Sequence, residues 1–187
     1  MLDPEDHEDF ARCVGLTRYY RSRMDGIVDR TVNENSNTPE QRKRNDVWGA
    51  RCELAVALDT GLPWTGIDKG AAADVGQNIE VKSTMYWQKG HMIVRPQCHW
   101  ELSGIRRDEL RDRAYATILD CIPNTLEYIR SHIYAFVTQN RGAEGSEDQI
   151  NIVGYMSGHD VINEEYWQGD SWWVPQSVFV RNYGDVL

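Results

Sequence analysis

The hydrophobic pattern changes its period part-way along the chain, and this change constrains the fold more than any other feature. In residues 5–33 and 38–60, apolar residues recur near three- and four-residue intervals, which is typical of helices. Beyond residue 70 the apolar runs are short and alternate with polar residues, which favours strands. The predicted fold class is therefore α/β, with a central mixed sheet of about five strands flanked by helices and an N-terminal helical extension.

Local signals define the second helix most sharply. Thr38 is a suitable N-cap, Pro39 occupies the first helical position, and Gln41 lies where a capping box requires it. The helix is expected to end at Gly61, because glycine readily takes the left-handed conformation that closes a helix. Strands are predicted over 71–75, 78–86, 91–96, 133–140 and 150–156, with a last extended segment over 172–180. Further helices are predicted over 106–120 and 159–167.

The net charge of −9 argues at first against nucleic-acid binding, but the charge is unevenly distributed. Residues 1–9 carry five acidic residues and no lysine or arginine, and residues 142–187 carry eight acidic residues and one arginine. The middle of the chain therefore has a slight excess of basic residues. The acidity limits a nucleic-acid surface to part of the molecule and does not exclude one.

Several function classes lack their sequence signature. The four cysteines show neither metal-finger nor disulfide-framework spacing, and no glycine-rich phosphate loop, Gly-x-Ser-x-Gly elbow or His-Glu-x-x-His motif occurs. The acidic N-terminus has no apolar core typical of a signal peptide, and no apolar run is long enough to span a membrane. We therefore expect a cytoplasmic protein with no membrane partner.

The segment from Asp74 to Lys82 carries the most informative chemistry. On a strand over 78–86, Glu80 and Lys82 point to one face and Ile79 and Val81 to the other, because strand side chains alternate. Asp74 precedes a short turn and can bring a second carboxylate close to Glu80. Two converging carboxylates favour a hard cation such as Mg²⁺ or Mn²⁺. Lys82 beside that ion could orient water and stabilise charge on a phosphorane.

A third carboxylate, Glu53, lies in an apolar part of the second predicted helix. A buried acid is costly unless it is paired or bound to a metal.

This constellation, Glu53…Asp74…Glu80-x-Lys82, resembles the core of the PD-(D/E)XK (restriction-endonuclease-like) nuclease superfamily. The pattern around Glu53, the Gly-Tyr-Met at 154–156 and the Trp-Val-Pro-Gln-Ser at 173–177 are similar to small phage-encoded members. The resemblance covers roughly residues 45–180 and implies an αβββαβ core. The predicted domains are accordingly an N-terminal helical segment, 1–37, and a nuclease-like domain, 38–187. Ala73 stands where the family usually has proline.

The resemblance implies Mg²⁺- or Mn²⁺-dependent hydrolysis of DNA by an endonuclease, which would act in the host cytoplasm if a phage encodes the chain. It implies that Asp74, Glu80 and the Val81 carbonyl bind the metal, that Glu53 is an accessory ligand, and that Lys82 is the catalytic lysine. A homodimer is compatible with the resemblance, and duplex, single-stranded and branched DNA all remain open as substrates.

Alternative interpretations remain for each feature. Glu80 and Lys82 could form a solvated pair on an exposed strand face, and Asp68 competes with Asp74 for the metal. The fold could also serve a non-catalytic binding module or a phage structural protein, which the acidic ends would suit. Basic and aromatic candidates for DNA contacts, each with an ordinary surface or core alternative, are Arg42, Lys43, Arg44, Trp87, Arg106 and Arg107.

Overall fold

The structure is a computed structural model that describes residues 4–24, 38–64, 66, 73–84, 90–96, 114–140 and 149–187. The chain divides into two compact units, Met1–Gln77 and Asn78–Leu187. The domain boundary expected between residues 37 and 38 is a different kind of division, since it marks the start of the nuclease-like domain. It stays a prediction. Among the described residues, no helix is both long and apolar enough to cross a membrane.

The first unit is built on two helices, α1 (Pro4–Met24) and α2 (Pro39–Thr60). Thr38 caps α2 as predicted, because its side chain accepts the Gln41 N–H while the Gln41 side chain accepts the Thr38 N–H. The helix ends at Gly61, whose φ of 69° is left-handed. The prediction of α2 is confirmed at both ends. The prediction of α1 is confirmed over residues 5–24, and residues 25–33 lie outside the described residues.

The two helices pack closely at Gly15. A Cβ atom there would lie 2.4 Å from the Cα atom of Val47, so only glycine allows this approach. After α2, Val75 forms an isolated antiparallel bridge with Trp64, and the Gly76 N–H donates to the Pro63 carbonyl. The strand predicted over 71–75 is therefore reduced, within its described residues 73–75, to this single bridge.

The second unit contains a mixed sheet of three strands, β1 (Ile79–Thr84), β3 (Ile133–Asn140) and β4 (Gln149–Ser157), in the order β1-β3-β4. Strand β1 is parallel to β3, and β3 is antiparallel to β4. The strands predicted over 133–140 and 150–156 are confirmed. The strand predicted over 78–86 is confirmed for Ile79–Thr84, and residues 85–86 lie outside the described residues.

Two short strands, β2 (His91–Val94) and β5 (Trp172–Pro175), form a separate antiparallel sheet. The described strands thus form a sheet of three and a sheet of two, and the single sheet of about five strands is not confirmed. Proline follows or ends each short strand, at Pro96 and Pro175, and proline cannot donate a ladder hydrogen bond. The segment predicted as extended over 172–180 accordingly turns into a 3-10 helix at Gln176–Val178.

Helices α3 (Tyr115–Cys121) and α4 (Pro123–Arg130) precede β3. The helix predicted over 106–120 corresponds to α3 in its described part, and residues 106–113 lie outside. Helix α4 lies outside the predicted helices, and it begins at Pro123 because proline is favourable at a first helical position. The helix predicted over 159–167 is two pieces, α5 (Gly158–Val161) and a 3-10 helix at Glu164–Tyr166.

The core of the second unit lies between these helices and both sheets. Its fully buried members include Trp172, Tyr134, Phe136 and Ile118. Tyr134 and Phe136 belong to β3 and pair in register with Glu80 and Lys82 of β1. Residues paired across a parallel ladder project to the same side of the sheet. The β1 face that carries Glu80 and Lys82 is therefore the face against which this core packs.

Gly158 fixes the end of α4 against the sheet. Its N–H donates to the His132 carbonyl at 2.8 Å, and a Cβ atom at residue 158 would lie 1.7 Å from the Ile129 carbonyl oxygen. Such an overlap forces the backbone to move.

We expect Gly158→Ala to lower the free energy of unfolding by about 3 kcal/mol, at the upper end of overpacking substitutions. Urea denaturation measures this loss. The matched control is Gly184→Ala, where a Cβ atom meets nothing within 4 Å and the change should stay within about 0.5 kcal/mol. Equal stability of the two variants would show that the contact at Ile129 is not a constraint.

Candidate functional site

Strand β1 brings Glu80 and Lys82 together in the second unit. The Lys82 Nζ atom donates to Glu80 Oε2 at 2.9 Å, with 26% of the lysine side chain and 8% of the glutamate side chain exposed. Glu80 is therefore a buried carboxylate, and the interpretation of a solvated pair on an exposed face is wrong for it. The neighbouring Ile79 is fully buried as well, so β1 is covered on both faces at its start.

A second donor reaches the same carboxylate from α4. The Tyr128 hydroxyl donates to Glu80 Oε1 at 2.6 Å, so each oxygen of the buried carboxylate has a partner. Lys82 Nζ also lies 5.9 Å from the ring centroid of Tyr134. The negative charge of Glu80 is thus compensated by one ammonium and one hydroxyl, which is what a buried carboxylate requires.

Contacts at the end of α4 hold Tyr128 in this position. The His132 ring stacks on the Tyr128 ring with 4.1 Å between centroids, and His132 Nδ1 lies 2.6 Å from the Tyr128 carbonyl oxygen. The Ser131 hydroxyl lies 3.1 Å from the same ring nitrogen. His132 therefore has a structural role here.

Glu53 lies in the first unit, where Arg18 of α1 binds it with both terminal guanidinium nitrogens. Nη1 donates to Oε1 at 2.9 Å and Nη2 donates to Oε2 at 2.5 Å. Trp64 adds a third hydrogen bond, from Nε1 to Oε2 at 3.1 Å. Arg18 also donates to the Gly66 carbonyl. This bidentate pair accounts for the burial of Glu53, and its assignment as an accessory metal ligand stays a prediction.

Asp74 is also in the first unit and is 8% exposed. It occupies a bend directly before the bridge residue Val75, and the turn continues through Gly76, whose φ of 59° is left-handed. Val81 lies in β1 between Glu80 and Lys82, in register with Ala135. The structure thus places a second buried carboxylate shortly before β1 in sequence.

The predicted DNA-contact residues fall into two groups. Arg42 and Lys43, both half-buried, and the exposed Arg44 lie at the start of α2. The competing acid Asp68 and the candidates Trp87, Arg106 and Arg107 lie outside the described residues.

The chemistry of the carboxylates suits a hard divalent cation. Across the described ranges, no three His, Cys, Asp or Glu side chains group together as a complete metal site. Mg²⁺ does not need one, because proteins usually bind it through one or two carboxylates, with water and substrate phosphate as the other ligands. Asp74 in the first unit and Glu80 in the second are each a buried carboxylate, which is the kind of donor that such a cation prefers.

Comparison with protein-family models, with curated proteins and with solved structures finds no match to this chain. The resemblance to the PD-(D/E)XK superfamily therefore depends on the motif residues alone.

Two residues at the candidate site were missed from the sequence, Arg18 and Tyr128. Arg18 is 35 residues from its partner Glu53, and Tyr128 is 48 residues from Glu80. The only sequence signal for Arg18 was the cost of an unpaired acid in an apolar helix, which predicts a partner without identifying it.

Removing Arg18 should leave Glu53 buried without its counter-charge. We expect Arg18→Met to destabilise the chain by about 3 kcal/mol in urea denaturation. Arg12→Met is the matched control, because Arg12 is an exposed arginine of the same helix and should change stability by less than about 0.5 kcal/mol. The double variant Arg18→Met/Glu53→Leu should regain more than half of the loss. A single variant as stable as the control would contradict the buried pair.

Tyr128→Phe deletes only the hydroxyl that donates to Glu80. Hydrogen bonds to charged groups are worth about 1.5–3 kcal/mol, so we expect a destabilisation in that range. Tyr183→Phe is the control, since the Tyr183 ring packs on Tyr155 and its hydroxyl has no hydrogen-bond partner among the described residues. If both variants unfold at the same denaturant concentration, the bond between Tyr128 and Glu80 contributes nothing.

Proposed function

We propose that this chain is a Mg²⁺- or Mn²⁺-dependent DNA nuclease that hydrolyses phosphodiester bonds, with an endonuclease as the expected form. The observation that carries the proposal is the contact on β1 between the buried carboxylate of Glu80 and the partly exposed ammonium of Lys82, 2.9 Å apart. A buried carboxylate beside a partly accessible ammonium suits metal-dependent phosphodiester hydrolysis, since one group can bind a cation while the other faces the reacting phosphate.

The order of the described elements supports an αβββαβ core of the restriction-endonuclease type. Helix α2 is followed by the bridge at Val75, then β1, β2, the helices α3 and α4, and β3. In this assignment the bridge at Val75 corresponds to the first core strand, and Asp74 precedes it directly. Strands β1 and β3 pair in parallel, and the chain between them contains β2 and the helices α3 and α4. This arrangement suits the same core.

Asp74 and Glu80 would hold the metal, with the Val81 carbonyl as a further ligand and Glu53 as an accessory one. A bound divalent ion supplies Lewis-acid polarisation of a phosphate oxygen. Tyr128 is a positioning residue, because its hydrogen bond to Oε1 fixes the orientation of the Glu80 carboxylate. A carboxylate held in this way loses little rotational freedom when it binds a cation.

Lys82 would act on the scissile phosphate. Its ammonium can orient the attacking water and donate to a phosphate oxygen, and it compensates the negative charge that grows on the phosphate as the water oxygen bonds to phosphorus and the bond from phosphorus to the leaving oxygen breaks. The pairing with Glu80 keeps the lysine side chain extended along the β1 face. In solution the protein should cleave DNA with Mn²⁺ or Mg²⁺ and should not cleave it with EDTA.

Lys82→Met tests this role, since methionine keeps much of the side-chain stem and removes the charge. We expect the single-turnover rate of DNA cleavage with Mn²⁺ to fall by about 10²- to 10³-fold, the effect of losing one donor at a developing charge. Mn²⁺ affinity, measured by calorimetric titration, should be retained because the carboxylates remain. Arg12→Met is the control for cleavage.

Unchanged cleavage by Lys82→Met would contradict the assignment of the catalytic lysine. Absence of cleavage by the unmodified protein on plasmid and single-stranded DNA, with either metal, would favour the alternative function of a non-catalytic binding module.

A further inference from the structure

Basic side chains gather around two tyrosines where the last turn of α1 meets the first turns of α2. Lys43 Nζ lies 5.4 Å from the ring centroid of Tyr19 and 5.6 Å from that of Tyr20. The Arg23 guanidinium lies 4.9 Å from the Tyr19 centroid. We call Tyr19, Tyr20, Arg23 and Lys43 the tyrosine–cation cluster. Arg21, Arg42 and Arg44 lie on the same turns of the two helices.

The cations of this cluster are held by aromatic rings. Within the described part of the chain, neither Arg23 nor Lys43 forms an ion pair with a carboxylate. No carboxylate among the described residues therefore cancels their charge through a salt bridge, although the chain as a whole carries −9. A local positive region of this kind attracts a polyanion even on an acidic protein.

The two tyrosines differ in exposure. Tyr19 is 2% exposed and is therefore the buried member of the cluster. Its hydroxyl has no hydrogen-bond partner in the described structure. Tyr20 is 53% exposed and meets Tyr19 edge-on, at 5.2 Å between centroids and 76° between planes. Lys43 Nζ lies over the Tyr20 ring, and about half of this side chain is exposed, so the exposed part of the ring can stack on a planar group next to a cation.

We propose that the tyrosine–cation cluster binds single-stranded DNA, with one base stacked on Tyr20 and the neighbouring phosphates contacting Arg23 and Lys43. An exposed aromatic ring flanked by cations is the combination by which proteins bind unpaired strands. In a duplex the base faces are stacked on one another and cannot reach Tyr20. The choice of DNA rests on the proposed function, and the cluster deepens it by naming the strand form of the substrate.

Fluorescence anisotropy of a 20-nucleotide oligo-dT measures this binding directly. The full chain is titrated in EDTA, so that no metal-dependent cleavage interferes, and a blunt 20-base-pair duplex is titrated in parallel. We expect tighter binding of oligo-dT than of the duplex. Tyr20→Ala should weaken oligo-dT binding by about 5- to 100-fold, the effect of losing one stacked base, whereas Tyr20→Trp should retain it.

The salt dependence tests the phosphate contacts separately. Each phosphate contact to a single strand adds about 0.7 to the slope of log affinity against log salt concentration. Lys43→Gln should therefore lower the slope for oligo-dT by about 0.7. Arg12→Gln is the matched control, because Arg12 lies on α1 about 12 Å along the helix axis from Tyr20 and should leave the affinity unchanged.

Equal affinities of Tyr20→Ala and Arg12→Gln would overturn the proposal, and so would duplex binding as tight as oligo-dT binding. Circular dichroism confirms that the variants are folded. A chain that binds oligo-dT through Tyr20 but does not cleave DNA with Mn²⁺ would contradict the nuclease function and leave this surface intact. If the chain cleaves DNA and Tyr20→Ala leaves oligo-dT binding unchanged, the binding surface is contradicted and the nuclease function is retained.

Discussion

The burial of a negative charge at Glu80 is the constraint on which the second unit depends. A carboxylate taken out of water destabilises a fold unless donors replace the lost hydration. Strand β1 supplies one donor two residues away, Lys82, and α4 supplies the other, Tyr128. The close contacts of Gly158 and the stacking of His132 in turn fix the end of α4. These contacts therefore hold the hydroxyl group that donates to the buried carboxylate of Glu80.

In the first unit, the buried charge of Glu53 is compensated by a bidentate ion pair with Arg18. Glu53 accepts a bidentate arginine and an indole N–H, so its charge is compensated by geometry that a lysine cannot reproduce. The contrast between the two glutamates is functionally informative. Glu53 is tied to Arg18, which binds α1 to α2, whereas Glu80 has a lysine that is partly accessible and has a neutral hydroxyl as its second partner.

Local chemistry made much of the fold predictable. The capping box at Thr38 and Gln41, the left-handed Gly61 and the apolar runs of β3 and β4 depend on neighbours in sequence, and each was identified from it. Helix α4 was missed because Pro123 both ends one helix and begins the next. The division into two sheets could not be read from the sequence, since strand length and alternation do not reveal which strands pair.

The candidate site was predictable only in its sequence-local part. The alternation of Ile79, Glu80 and Lys82 follows from the strand itself, and the structure brings the two charged groups together. Tertiary packing brings Tyr128 to Glu80 and Arg18 to Glu53, across 48 and 35 residues of sequence. No local sequence pattern identifies either partner. The polar partners of buried acids are thus the part of a site that the chain topology determines.

Cleavage of DNA by the purified full chain tests the central claim most directly. Plasmid and single-stranded DNA are incubated with Mn²⁺ or with EDTA, using the unmodified chain and Glu80→Gln, which keeps the side-chain shape and removes the charge. The account predicts cleavage only by the unmodified chain and only with Mn²⁺. Equal cleavage by both proteins, or none by either, would contradict it.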